Sequence, residues 1–218
     1  MKRPANLATD SSARTLLSHA RVQQHPDPRL ELFIVRDFLP RDACAALIEL
    51  IDRERSPSVV TDPNGDAAFR TSETCDLASA SSQLIPVLDA VLSAFSGIDP
   101  AYGEPLQGQR YAVGQEFKPH TDYFEPAGAE FAKVCSLTGN RTWTLMIYLN
   151  EVEDGGATRF EVIDETVRPE TGKMLAWNNR CPDGSPNPAT LHQGMKVRAG
   201  VKYIVTKWYR EKPTEFTR

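Results

Sequence analysis

The sequence lacks the marks of several large protein classes. Its four cysteines, Cys44, Cys75, Cys135 and Cys181, form no CxxC pair, so neither a zinc ribbon nor a disulfide framework is indicated, and their scatter suits free thiols in a reducing compartment. No apolar run is long enough to span a bilayer, and residues 1–28, MKRPANLATDSSARTLLSHARVQQHPDP, carry basic residues without the apolar stretch of a signal peptide. These absences make the cytoplasm the expected compartment and argue against a membrane partner. Long basic runs are missing too: 25 Lys and Arg stand against 29 Asp and Glu, a net charge of −4. No nucleic-acid partner is expected from that balance. Internal repeats and low-complexity tracts are also absent.

What is present, in 218 residues, is enough for one sizeable core. Residues 1–28 are polar and read as a flexible N-terminal segment with a short helical turn near residues 13–20. Residues 30–35 read as a strand. In FLPRDACAALIELIDRER the apolar residues Ala43, Leu47, Ile48 and Ile51 recur at helical spacing behind Pro40, which predicts an amphipathic helix over 41–55. SQLIPVLDAVLSAFSGI predicts a second helix, with Pro86 in its first turns and Gly97 at its end. From Gln109 onward the texture changes to short β-prone runs, QRYAV, RTWTLMIYLN, ATRFEVI, ETVRP, KMLAW, ATLHQG and KYIVTKWYR, separated by turn residues. The fold class is therefore α+β, mainly β, built on a sandwich or barrel of the jelly-roll kind. Asp154-Gly155-Gly156 reads as a hairpin and Glu170-Thr171-Gly172-Lys173 as a tight turn. The implied division is a helical support region over 29–100 packed on a β core over 101–218, with 28–218 forming one domain.

Histidine is scarce. Two of the four lie early, at His19 and His25, which leaves His120 and His192 in the β-rich half. KPHTDYF places His120 and Asp122 at i and i+2, on one face of an extended strand. With His192, reached after several further strands, they compose a two-histidine, one-carboxylate triad. Three such ligands on one face of a six-coordinate metal such as Fe(II) leave positions open for a bidentate co-substrate and dioxygen. A lone HxD is more often a surface turn than a metal site, so the flanking sequence has to carry the assignment.

Four blocks do so: RYAVGQEFKPHTDYF, RTWTLMIYLNEVEDGGATRF, VRPETGKMLAW and LHQGMKVRAGVKYIVTKWYR. In this order they resemble the iron(II)- and 2-oxoglutarate-dependent dioxygenases of the prolyl 4-hydroxylase type, and FIVRDFLPRDACAALIEL and RTSETCDL resemble that family's N-terminal support region. The resemblance implies a double-stranded β-helix core with N-terminal supporting helices. It also implies iron ligands at His120, Asp122 and His192, and at Lys202 the cation that meets the distal carboxylate of 2-oxoglutarate. Charge logic agrees, because burying that carboxylate unpaired would be costly. Tyr111 and Tyr148 match positions whose phenols line the co-substrate pocket, and Trp208 matches a tryptophan on the substrate side. Along a strand over 142–149, Thr144, Met146 and Tyr148 share one face while Trp143, Leu145, Ile147 and Leu149 share the other. Tyr203 departs from the family, which often carries a tryptophan there. Arg141 and Arg159 receive no catalytic role.

The activity implied is hydroxylation of a C–H bond, above all of a prolyl residue in a peptide or protein, with succinate and CO2 as co-products. Fe(II) is the implied metal, 2-oxoglutarate and O2 the co-substrates, and ascorbate a candidate reductant. Two alternatives stand beside it: the same chemistry on a small molecule or nucleic acid, and a zinc-binding jelly roll without oxygenase activity. Lys202 speaks against the zinc reading, which has no need of a cation opposite the metal. Residues 125–140, EPAGAEFAKVCSLTGN, follow the ligand segment and are placed to serve as a substrate lid.

Overall fold

The computed structural model describes residues 7–58 and 69–214. Helix α1 (Leu7–Ser18) leads into strands β1 (Val22–Gln24) and β2 (Leu32–Val35), helix α2 (Arg41–Glu54), strands β3 (Ser56–Pro57) and β4 (Glu73–Asp76), and helix α3 (Leu84–Ser96). Then come β5 (Gln107–Tyr111), β6 (Phe117–His120), α4 (Phe131–Cys135), β7 (Arg141–Tyr148), β8 (Asp154–Gly155), β9 (Thr158–Phe160) and β10 (Glu165–Val167). The chain closes with β11 (Met174–Asn178), β12 (His192–Gly194), β13 (Val197–Ala199) and β14 (Lys202–Arg210). Among the described residues these strands form an eight-stranded sheet in the order β1-β2-β11-β7-β14-β5-β4-β3 and a four-stranded sheet in the order β10-β9-β12-β6. A third, two-stranded pairing joins β13 to β8. No helix among the described residues is long and apolar enough to cross a membrane.

The large sheet is buried on both faces near its centre, and side-chain alternation along β7 sorts the two cores. Trp143, Leu145 and Ile147 pack with Leu47 and Ile51 of α2 and with Leu88 and Leu92 of α3. Met146 and Tyr148 point the other way, into a second core with Tyr111, Ile204 and Phe160 between the sheets. This is the split read from RTWTLMIYLN. Fully burying an aliphatic side chain such as Leu47 or Ile51 contributes roughly 1.5–3 kcal/mol, so the apolar stripe of α2 is what fastens that helix to the sheet. The helix follows Pro40, whose extended φ of −61° and ψ of 152° set its start. Helix α3 ends as expected at Gly97, in the left-handed region with φ +69°.

Three local readings change. The segment expected to be a flexible tail holds a helix of about three turns, α1, in which Ala13 and Leu16 join the main core. His19 then stacks on Phe95 with ring centroids 4.1 Å apart. Two apolar residues and one imidazole suffice to dock it, too few to stand out in a polar sequence. The support region is likewise not helical alone, since β1 to β4 extend the large sheet at both edges. Finally, Asp154-Gly155-Gly156 is not a hairpin. It is the corner where the chain leaves β7 in one sheet for β9 in the other, and β8 pairs instead with β13. Gly155 and Gly156 both have positive φ, +81° and +68°, which the corner requires and only glycine adopts freely.

The second turn is as read: the Lys173 amide donates to the Glu170 carbonyl at 3.0 Å, and Gly172 has φ +76°. Its carbonyl also accepts from the Phe38 amide at 2.8 Å, and a Cβ there would collide with the Leu39 backbone. Gly172→Ala is therefore expected to cost about 1–3 kcal/mol, read as a lowered midpoint of thermal unfolding with the cofactor-site residues unchanged.

Candidate metal and co-substrate site

Strands β6 and β12 pair antiparallel, and their register sets His192 directly opposite His120. Asp122 lies two residues past the end of β6, beyond the strand proper, yet its carboxylate returns to the same point. One ligand atom from each of His120, Asp122 and His192 lies within 4.8 Å of the others. The imidazoles face each other with centroids 4.3 Å apart, and His120 Nε2 is 4.0 Å from Asp122 Oδ1.

The tautomers follow from the backbone. His120 Nδ1 is 2.8 Å from the Lys118 carbonyl and His192 Nδ1 is 2.8 Å from the Thr190 carbonyl. A carbonyl only accepts, so each Nδ1 carries the hydrogen and each Nε2 presents a lone pair, the form in which histidine binds metal. Burial, reinforced by the neighbouring His192, pushes the His120 pKa down to about 3, which keeps that ring neutral. Phe117 stacks on His120 at 3.5 Å and Trp177 meets His192 edge-on at 5.0 Å, fixing both ring planes. Burial would raise the Asp122 pKa, but the His192 and His120 imidazoles, Arg141 and a hydrogen bond from Thr144 hold it below the ordinary value. A carboxylate and two imidazoles whose Nε2 atoms converge on it fit a divalent metal of borderline hardness such as Fe(II).

The triad lines one side of a cleft of about 380 Å³, counted to its open mouth. Lys202 lines the same cleft. It opens β14 opposite Tyr111 of β5, is only 2 % exposed, and has no carboxylate partner among the described residues. Its Nζ lies 5.1 Å from the Tyr111 ring centroid and 5.5 Å from that of Tyr148. Burial alone pulls its pKa down to about 7. Gly156 and Gly194 flank it: added Cβ atoms there would sit 3.4 Å from Lys202 Cδ and 3.7 Å from Nζ. A lysine stem is thus lodged between two bare backbones with its ammonium aimed into a cleft that ends on a metal-ready triad.

Of the two tyrosines, Tyr111 lines the cleft and donates to Gln109 Oε1 at 2.8 Å. Tyr148 differs from the expectation. Its hydroxyl is turned toward the small sheet, 2.6 Å from Thr158 Oγ1 and 3.1 Å from the Val167 carbonyl, so it is the ring, not the phenol oxygen, that lies under Lys202 Nζ. Trp208 lines the cleft under the Arg141 guanidinium, 4.1 Å from its ring centroid. Arg141 is held by two hydrogen bonds to Glu104, at 2.7 and 2.8 Å, and Arg210 reaches the same carboxylate at 2.5 Å. Tyr203 belongs elsewhere: it projects from the opposite face of β14 and donates to the Asp52 carboxylate at 3.0 Å. Arg159 is engaged by Glu161 and Asp164, and Arg198 by Asp154. Gln109, Thr158, Thr206 and Met146 also line the cleft. Their sequence signal was only that of strand residues on the inward face.

A jelly roll with two histidines and a carboxylate converging in a cleft defines a non-haem metal protein of the two-histidine, one-carboxylate class. Residues 106–210 match the 2OG-Fe(II) oxygenase superfamily. Over 207 residues the chain is 31% identical to probable prolyl 4-hydroxylase 10 of Arabidopsis thaliana, covering 84% of this chain and 69% of that protein. It therefore belongs to the 2OG-Fe(II) oxygenase superfamily, within its prolyl 4-hydroxylase-like family. Over 215 residues it is 33% identical to the prolyl 4-hydroxylase subunit alpha-3 of Rattus norvegicus, covering 96% of this chain but 39% of that subunit. The chain thus spans about two fifths of the length of such alpha subunits. The fold is shared with the viral collagen prolyl hydroxylase vCPH of Paramecium Bursaria Chlorella virus-1, solved with 2OG: TM-score 0.65 at 23% identity, covering 82% of this chain and 95% of that one.

Proposed function

We propose that this protein is an Fe(II)- and 2-oxoglutarate-dependent dioxygenase that hydroxylates a prolyl residue of a peptide or protein. The observation that carries this reading is the pairing, in one cleft, of the His120, Asp122 and His192 triad with Lys202, a buried amine with no carboxylate partner among the described residues. A ligand that chelates metal at one end and bears a carboxylate at the other suits both. His120, Asp122 and His192 would hold Fe(II), which when bound supplies oxidative decarboxylation of 2-oxoglutarate to succinate and CO2, coupled to hydroxylation of the substrate. Lys202 neutralises the distal carboxylate, and the Tyr111 ring packs beside its ammonium. Met146, Ile204 and Trp177 keep the inner cleft poor in water. Trp208 under Arg141 forms the wall we assign to the substrate, and the loop over 125–140, with α4 inside it, the lid.

The prolyl substrate is supported by the relatives, each of which is a prolyl hydroxylase by name. The cytoplasm is the compartment we propose, since all four cysteines are free thiols. Incubation with proline-containing peptides, Fe(II), 2-oxoglutarate and O2 tests the substrate: the expected result is a gain of one oxygen on a prolyl residue with one succinate per hydroxylation. Succinate released without any oxygen gained by peptide or lysate protein would remove the peptide from the proposal.

Lys202 gives this binding step a pH dependence of definite sign. In the free protein its pKa lies near 7, and an incoming dianion raises it. Above about pH 7, therefore, binding takes up a proton, and affinity for 2-oxoglutarate falls as pH rises toward the bound-state pKa. Calorimetry at pH 8 in two buffers of different ionisation enthalpy is expected to show uptake approaching one proton in the wild type and none in Lys202→Arg, whose guanidinium stays charged.

A further inference from the structure

The two oxygens of Asp122 are not equivalent. Oδ1 faces His120, whereas Oδ2 accepts a hydrogen bond from Thr144 Oγ1 at 2.7 Å. Thr144 is fully buried in the middle of β7, and its oxygen in turn accepts from Asn179 Nδ2 at 2.9 Å. A threonine hydroxyl has one proton to give. Because the carboxylate takes it, the Asn179 amide has to point its NH2 at Thr144, and the chain Asn179 to Thr144 to Asp122 runs in one direction only.

Asn179 is itself clamped. Its backbone N–H donates to the Thr142 carbonyl at 2.8 Å and its backbone carbonyl accepts from the Asn187 backbone N–H at 3.0 Å. The Asn187 carbonyl then accepts from Thr190 Oγ1 at 2.7 Å, and the Thr190 carbonyl is the acceptor for His192 Nδ1. One connection, residues 179–192, thus holds the carboxylate through Thr144 and the second histidine through Thr190.

We propose that Thr144 and Asn179 are positioning residues that make Asp122 a one-oxygen ligand. The inference rests on the metal and co-substrate reading above. Thr144 holds Oδ2 turned toward β7, so that Oδ1, the oxygen on the His120 side, would be the one to meet a metal; without that hydroxyl the carboxylate is free to turn about its Cβ–Cγ bond and present both oxygens. A second Asp122 oxygen would take a position that a chelating 2-oxo acid requires. The Thr144 hydroxyl therefore acts on ligand strength and on the number of open positions together, and a residue present only to fill the sheet would act on neither.

The test is a Co(II) titration of the metal-free protein followed by visible absorption, with 2-oxoglutarate then added to the anaerobic Fe(II) form. Thr144→Val is expected to weaken Co(II) binding about 10- to 100-fold, the usual effect of losing a hydrogen bond to a ligand, to alter the Co(II) spectrum, and to weaken 2-oxoglutarate binding further. Thr144→Ser restores all three. Asn179→Ala weakens Co(II) binding less than Thr144→Val, and the double variant is no weaker than Thr144→Val alone, because both act through one chain. Co(II) affinity and spectrum unchanged in Thr144→Val overturn the proposal. Should that variant not fold, unchanged Co(II) affinity in Asn179→Ala overturns it instead. A wild type that binds no Co(II) would overturn the metal reading itself, a result distinct from either of these.

Discussion

Asp122→Ala is expected to abolish stoichiometric Fe(II) binding and, with it, succinate formation, while the folded protein persists. The loss should exceed the roughly 100-fold that removal of a hydrogen bond to a ligand can cause, because one of three ligand groups is gone. Persistence of the fold follows from where the carboxylate sits. Asp122 lies beyond β6, outside both apolar cores, and neither sheet depends on it for a ladder hydrogen bond. Circular dichroism and a thermal melt close to wild type, beside an empty Fe(II) titration, are the predicted pair of results. Full turnover in Asp122→Ala would end the triad assignment.

Lys202→Ala is expected to leave Fe(II) binding nearly intact and to weaken 2-oxoglutarate binding. Losing one partner of a buried charge pair costs about 2–5 kcal/mol; at ~1.4 kcal/mol per tenfold that is roughly 30-fold or more in affinity. Among nearby cations, Arg198 is held by Asp154 and Arg141 by Glu104, while Arg70, over the Phe117 ring at 5.1 Å, is bonded to Ser72, Thr74 and Gln107. Lys202→Arg should recover part of the loss. The recovery is incomplete because Lys202 is only 2 % exposed in a slot shaped to a lysine, and a planar guanidinium is wider than an ammonium. Unchanged 2-oxoglutarate affinity in Lys202→Ala would contradict the role assigned to it.

The parts of this molecule that local rules govern are legible in its sequence. The periodicity behind Pro40 gives α2 to within a residue of its observed end, Gly97 marks the end of α3, and alternation along β7 separates the two cores. His120, Asp122 and His192 could be grouped because histidine is so scarce and the flanking blocks resemble a family. What could not be read depends on which strands meet. The Tyr148 hydroxyl turns to Thr158 because β9 lies across from β7, and no local pattern fixes that. Tyr203 leaves the cleft for Asp52 on α2, a partner set by the packing of helix on sheet. Asn179 is one of two adjacent asparagines in WNN, and only the register of β11 against β7 shows which one reaches Thr144. The 154–156 corner reads as a hairpin for the same reason: its glycines report positive φ, not the strand to which the chain goes next.

The proposed chemistry requires Fe(II) and 2-oxoglutarate to meet in one cleft, and anaerobic titration of 2-oxoglutarate into the Fe(II)-loaded protein tests that most directly. The predicted result is a saturable charge-transfer absorbance in the visible at one equivalent, absent from Asp122→Ala and shifted to higher 2-oxoglutarate concentration in Lys202→Ala. A wild-type protein that binds Fe(II) yet shows no such absorbance at saturating 2-oxoglutarate would contradict it.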